Sequence, residues 1–172
     1  MKSADVAAIG ARPGKYLTFS MGGEEYGLEI LSVQEIIGIM KVTRIPRMPS
    51  FIRGVINLRG KVIPVIDLRK RLDLELKSDT DRTCIIVVQV QTGEGAVTMG
   101  IIVDSVSEVL NVTAAQIEPA PEFGSNISTE FILGVAKIAK NVVILLDANR
   151  TLSLEELHEA AALPGHEGDE QK

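Results

Sequence analysis

The sequence predicts a mainly β protein made of two small five-stranded barrels packed across a shared apolar core, with a short helix near its C-terminus. Three observations carry this. GVINLRGKVIPVID at 54–67 lines up without a gap on GVAKIAKNVVILLD at 134–147, with Gly, Val, Val and Asp in register. GLEILSVQEII at 27–37 lines up in the same way on GIIVDSVSEVL at 100–110, sharing Gly, Ser, Val and Glu. Each copy also holds about five alternating or β-branched segments, the number that closes a small barrel and leaves no exposed strand edge.

The elements follow in order. Residues 16–21 alternate polar with apolar, Gly22-Gly23 supplies a turn and 25–30 alternate again, which is a hairpin signature. The second copy repeats it with 84–91, the turn 92–95 and 96–103. A β-branched segment follows in each copy, at 33–39 and 106–112, and then a proline-bearing connection and a closing hairpin. The first connection, Arg44-Ile-Pro-Arg-Met-Pro49, is short and stiff. The second, 114–130, is long and proline-bearing, with one helical turn expected at 113–116. Ser153-Leu-Glu-Glu156 reads as a capping box for an amphipathic helix. The expected organisation is a flexible tail over 1–14, barrels over 15–80 and 81–150, a helix over 151–162 and a second tail over 163–172. The first strands of each unit are open to exchange between barrels.

Composition narrows the function. The chain has 172 residues, 45% of them hydrophobic, and no apolar run approaches the ~18 residues of a membrane span. The N-terminus lacks a secretory apolar core and the single cysteine, Cys84, sits in a strand pattern, so a cytoplasmic address is expected without membrane insertion. A net charge of −5 and 3% aromatic residues disfavour a nucleic-acid surface, which needs clustered cations and stacking platforms. The basic run 69–71 reads as a solvated turn, because Asp67 and Asp73 flank it.

Catalytic chemistry finds few candidates. Both histidines, His158 and His166, fall in the terminal region, and Cys84 has no local base. Asp67 and Asp147 end equivalent hairpins, so each is expected to cap its own following turn. No phosphate loop, cofactor motif or metal-ligand spacing is present, and no enzymatic activity is expected.

Function is therefore sought where the copies differ. Arg59 stands in the turn of the first closing hairpin, where the second copy has Ala139. Glu35 shares a strand face with Val33 and Ile37 and is a candidate acceptor for that guanidinium. The pair reads either as an ordinary surface ion pair or as a docking handle beside an apolar groove between the barrels. Val33 is matched by Val106, which favours core packing for it.

Four segments in fixed order, EYGLEILSVQEI at 25–36, RGVINLRGKVIPVIDL at 53–68, GIIVDSVSEV at 100–109 and PAPEF at 119–123, resemble the CheW family of bacterial chemotaxis coupling proteins. The resemblance spans 15–156. It implies SH3-like barrels and a non-enzymatic adaptor, without cofactor or metal, that joins the cytoplasmic tips of methyl-accepting chemoreceptors to the regulatory domain of the histidine kinase CheA in membrane receptor arrays. It places Val33, Glu35, Gly54 and Arg59 at the receptor contact and Glu118 and Phe123 at the kinase contact. Glu118 departs from relatives that carry a basic residue there. The alternative class is a barrel that binds a small ligand or nucleic acid.

Overall fold

The computed structural model describes residues 11–75, 77–92, 95–120 and 131–152. The first repeat supplies β1 (Gly14–Met21), β2 (Glu24–Glu29), a 3-10 turn (Ile30–Ser32), β3 (Val33–Gly38), β4 (Ile52–Leu58), β5 (Lys61–Asp67) and α1 (Leu68–Arg71). The second supplies β6 (Cys84–Thr92), β7 (Gly95–Val103), β8 (Ser105–Val112), a 3-10 turn (Ala114–Gln116), β9 (Ile117–Glu118), β10 (Ile132–Ile138), β11 (Asn141–Leu146) and α2 (Ala148–Thr151). The helix expected over 151–162 falls almost wholly outside the described residues.

These strands form two sheets, ordered β8-β1-β2-β11-β10-β9 and β3-β6-β7-β5-β4. The two orders are the same order written twice once repeat-equivalent strands are matched. The β1–β2 hairpin of the first repeat lies in the sheet closed by the second, and the β6–β7 hairpin of the second lies in the sheet closed by the first. Each exchanged hairpin joins its host on two sides, antiparallel through β1–β8 or β6–β3 and parallel through β2–β11 or β7–β5, with Gly27 opposite Leu145 and Gly100 opposite Val65 in the parallel pairs. A methyl group at Gly100 would lie 2.8 Å from Ile85 Cγ2, so the glycine shared by the repeats marks a close approach. The sixth strand, β9, pairs with β10 at Ala136 and Val135. Its counterpart in the other sheet is the single bridge between Thr43 and Val55.

Three apolar clusters follow from this arrangement. Ile56, Ile63, Val65, Ile85, Val87 and Ile102 fill the five-stranded barrel. Tyr16, Val112, Ile117, Ala136, Val143 and Leu145 fill the six-stranded one, with Ala11 buried against them. The third cluster lies between the barrels and draws on both, with Leu17, Phe19 and Leu28 meeting Ile66, Ile86 and Met99. Strand β6 thus sends Ile85 and Val87 inward and Ile86, Val88 and Val90 toward the neighbouring barrel. That two-sided burial is why its sequence is apolar without alternation. Each fully buried Ile, Leu or Phe contributes roughly 1.5–3 kcal/mol, so the cluster between the barrels is a main source of stability.

The matched aspartates have matched tasks. Asp67 Oδ1 accepts from the Arg69 N–H at 3.1 Å, and Asp147 Oδ1 accepts from the Arg150 N–H at 3.1 Å. The solvated turn expected at 69–71 is corrected. The Arg69 side chain is only 1% exposed, with Nε 3.1 Å from Asp104 Oδ1 and 3.9 Å from Asp67 Oδ1, and Nη2 3.5 Å from Asp79 Oδ1. Its Nη1 also donates to the Lys77 carbonyl. Asp104 Oδ2 accepts the Gly22 N–H at 2.9 Å, so this carboxylate ties the β1–β2 turn to α1. The reason is long-range: a buried guanidinium needs compensating charge, and two of its three carboxylates arrive from outside the run.

Candidate protein-docking site

β3 and β4 are the two edges of the five-stranded sheet. In β3 the side chains alternate, with Val33, Glu35 and Ile37 half-buried and Gln34 and Ile36 exposed. The turn between β4 and β5 places Arg59 at φ 52°, a left-handed conformation, and Ala139 has the same conformation at φ 55°. Asn57 Oδ1 accepts the Gly60 N–H at 2.8 Å and steadies the turn. Both turns thus share a left-handed residue at this position, one carrying a guanidinium and the other a methyl group, although only the first continues into a second positive φ, at Gly60.

From that turn, Arg59 Nη2 donates to Glu35 Oε2, so an ion pair spans the seam between the two edge strands. The hydrogen bond and charge of Glu35 push the Arg59 pKa up, which keeps the guanidinium charged throughout the working range. The side chains of Arg59 and Glu35 are 68% and 32% exposed, so a partner can reach both. The equivalent Glu108 has only Ala139 at the matching turn. There the bulge in the β1–β8 pairing is filled by Thr18 Oγ1, which donates to the Glu108 carbonyl at 2.8 Å.

The remaining predicted residues divide between the barrels. Val33 is half-buried and packs on the edge of the central cluster, as its match with Val106 led one to expect. Gly54, at φ 150°, allows the 42–43 segment to cross β4: a methyl group there would lie 2.0 Å from the Thr43 carbonyl oxygen. Thr43 and Val55 exchange two backbone hydrogen bonds of 2.9 Å at that crossing. Glu118 sits on β9 of the other barrel, opposite Val135, and its Oε2 lies 3.0 Å from Lys137 Nζ. Phe123 lies outside the described residues.

Sequence reasoning missed the exposed apolar side chains. Ile36 and Val109 are repeat equivalents, as are Val62 and Val142, and all four face solvent. Leu31, 92% exposed, and Met40 have no such counterpart, because Asp104 and Thr113 occupy their places in the second repeat. The same comparison that singled out Arg59 would have found them had it been applied to apolar positions. Leu31, Met40 and Arg59 together make the β3 side of this barrel chemically unlike its twin. Clefts of about 510 Å³ beneath the 44–53 loop and about 300 Å³ beside Arg12 and Leu31 are lined by neither Glu35 nor Arg59.

Asp67 and Asp104 come together on the buried Arg69. Both are committed to neutralising that cation. Among the described residues, no group of three or more His, Cys, Asp or Glu could hold a metal ion, and no helix is long and apolar enough to cross a membrane.

A doubled barrel with an exposed, repeat-specific ion pair and apolar side chains on one edge is the architecture of a scaffold that docks other proteins. Residues 15–156 match the CheW-like domain family. Chemotaxis protein CheW of Klebsiella aerogenes is 45% identical over 143 residues, covering 83% of this chain and 84% of that protein. Chemotaxis protein CheW of Bacillus subtilis is 38% identical over 141 residues, covering 82% and 88%. The crystal structure of the scaffolding protein TtCheW from Thermoanaerobacter tengcongensis matches with a TM-score of 0.70 at 39% identity, over 79% of this chain and 90% of that one. The chain belongs to the CheW-like family, and its role is that of a chemotaxis coupling adaptor; small-ligand or nucleic-acid binding as its main task is not favoured.

Proposed function

We propose that this chain joins the cytoplasmic tip of a methyl-accepting chemoreceptor to the regulatory domain of a CheA-type histidine kinase. It does so as a non-enzymatic cytoplasmic adaptor at membrane receptor arrays. The receptor docks on the five-stranded barrel, at Val33, Glu35, Gly54 and Arg59, and the kinase contacts Glu118 and Phe123. One observation carries the receptor half of this reading: the Glu35–Arg59 pair is exposed and is built on a turn whose twin lacks the guanidinium. A planar, permanently charged fork already held by a carboxylate loses little freedom on binding and fixes the orientation of a partner laid beside it. Gly54 contributes by setting the course of β4 at this contact.

The test is a pull-down in which this chain is offered separately to a receptor cytoplasmic fragment and to the kinase. Retention of both is expected; loss of both with folded protein rejects the reading. Within it, Arg59→Ala weakens receptor retention by roughly fivefold or more, whereas Ala139→Arg leaves it unchanged. Equal effects of the two substitutions would contradict the assignment of the site to one barrel.

A further inference from the structure

Phe51 precedes β4 and Phe131 precedes β10 at equivalent places in the two repeats. Their carbonyls accept from the equivalent Asp67 and Asp147 N–H groups at 2.7 and 2.8 Å. The guanidinium of Arg71, at the end of α1, lies 4.8 Å from the Phe51 ring centroid and 4.6 Å from that of Phe131. Its Nε donates at 2.7 Å to the carbonyl of Thr151, the residue at the end of α2 that is its own repeat counterpart. One cation thus touches both members of one equivalent pair and the counterpart of itself. That places it on the axis relating the two repeats. A second guanidinium at position 151 would approach the first there, an unfavourable like-charge contact. The divergence of Arg71 from Thr151 is thereby explained without any ligand.

Phe51 and α1 belong to the barrel that carries Glu35 and Arg59, and Phe131 and α2 to the barrel that carries Glu118. The central cluster between the barrels is apolar and non-directional, and packed apolar layers can slide by small shear. The Arg71 contacts are directional, since a hydrogen bond and two ring faces fix both position and rotation. We infer that Arg71 is a positioning residue that locks the mutual orientation of the two barrels, so that a change at the receptor-docking barrel is delivered to the kinase-docking barrel. This rests on the adaptor reading and names how coupling, as distinct from binding, is achieved. Arg71 transmits by holding one rigid body together; it need touch neither partner.

The experiment measures three things in parallel: affinity for the receptor fragment, affinity for the kinase, and receptor-dependent change in kinase autophosphorylation. With Arg71→Ala, both affinities stay within about twofold while the receptor-dependent response falls by about fivefold or more. The double variant Arg71→Thr, Thr151→Arg moves the cation to its repeat counterpart, from which it enters the same pair of rings, and restores the response. Arg71→Lys keeps charge but not the planar fork and restores it only in part. An undiminished response in Arg71→Ala, or no recovery in the folded double variant, overturns the inference. Failure of the unsubstituted protein to bind either partner would instead count against the adaptor reading.

Discussion

Gly54 shows how one missing Cβ shapes a barrel edge. The crossing of Thr43 over β4 leaves no space for a methyl group, and the φ of 150° is one that L side chains rarely adopt. Gly54→Ala is expected to cost roughly 2–4 kcal/mol, from backbone strain plus disruption of the two Thr43–Val55 hydrogen bonds. Urea unfolding measures it, and a loss under about 1 kcal/mol would mean that the crossing relaxes freely. Asp79 makes a separate, pH-dependent contribution. A hydrogen bond from Arg53, aided by the charges of Arg53 and Arg69, holds its pKa below the ordinary carboxylate value despite some burial. A folded-state pKa below the unfolded one stabilises the protein above the unfolded value and loses that stabilisation as pH falls through the folded one. The stability of the native protein should therefore drop more steeply below about pH 4 than that of Asp79→Asn. Parallel curves from pH 5 to pH 3 would show that this carboxylate is not held by its arginines.

At the level of elements, the exchanged hairpins decide what can fold alone. Cut near residue 80, the first half would keep β1–β5 but lose β6, the partner of β3, and β11, the partner of β2. The second half would lose β1 and β5, the partners of β8 and β7. Each half alone should lack a strand signature in far-ultraviolet circular dichroism, and mixing the two should restore it. An independently folded half would contradict reciprocal exchange. The hairpins, closing turns and aspartate caps were legible in the sequence because each rests on neighbours within a few residues. The exchange was left open for a physical reason: β6 is buried on both faces, so its apolar run carries no record of which sheet it joins. Arg69 was misread because its flanking acids looked sufficient to keep it solvated, whereas Asp79 and Asp104 reach it only through the fold. Arg59 and Glu35 were found by repeat divergence. Leu31 and Met40 escaped because an apolar residue beside a strand is assigned to the core by default, and only exposure distinguishes the two cases.

For the whole molecule, the consequence of doubling is two barrels of one strand order whose side chains differ at most positions. The scaffold is shared down to the bulges, since the pairing shifts between Ile52 and Gly54 and again between Ile132 and Gly134. On that common frame, a Glu35–Arg59 pair stands on one barrel and a Glu118–Lys137 pair on the other. Asp104 and Arg71 join the two bodies by directional contacts over the central cluster. The most direct measurement is a bridging assay: receptor cytoplasmic fragments are fixed to a support, and kinase recovery is followed with and without this chain. The account predicts recovery that rises with added chain, saturates, and is reduced by Arg59→Ala. Kinase recovery that is the same whether or not the chain is present would contradict it.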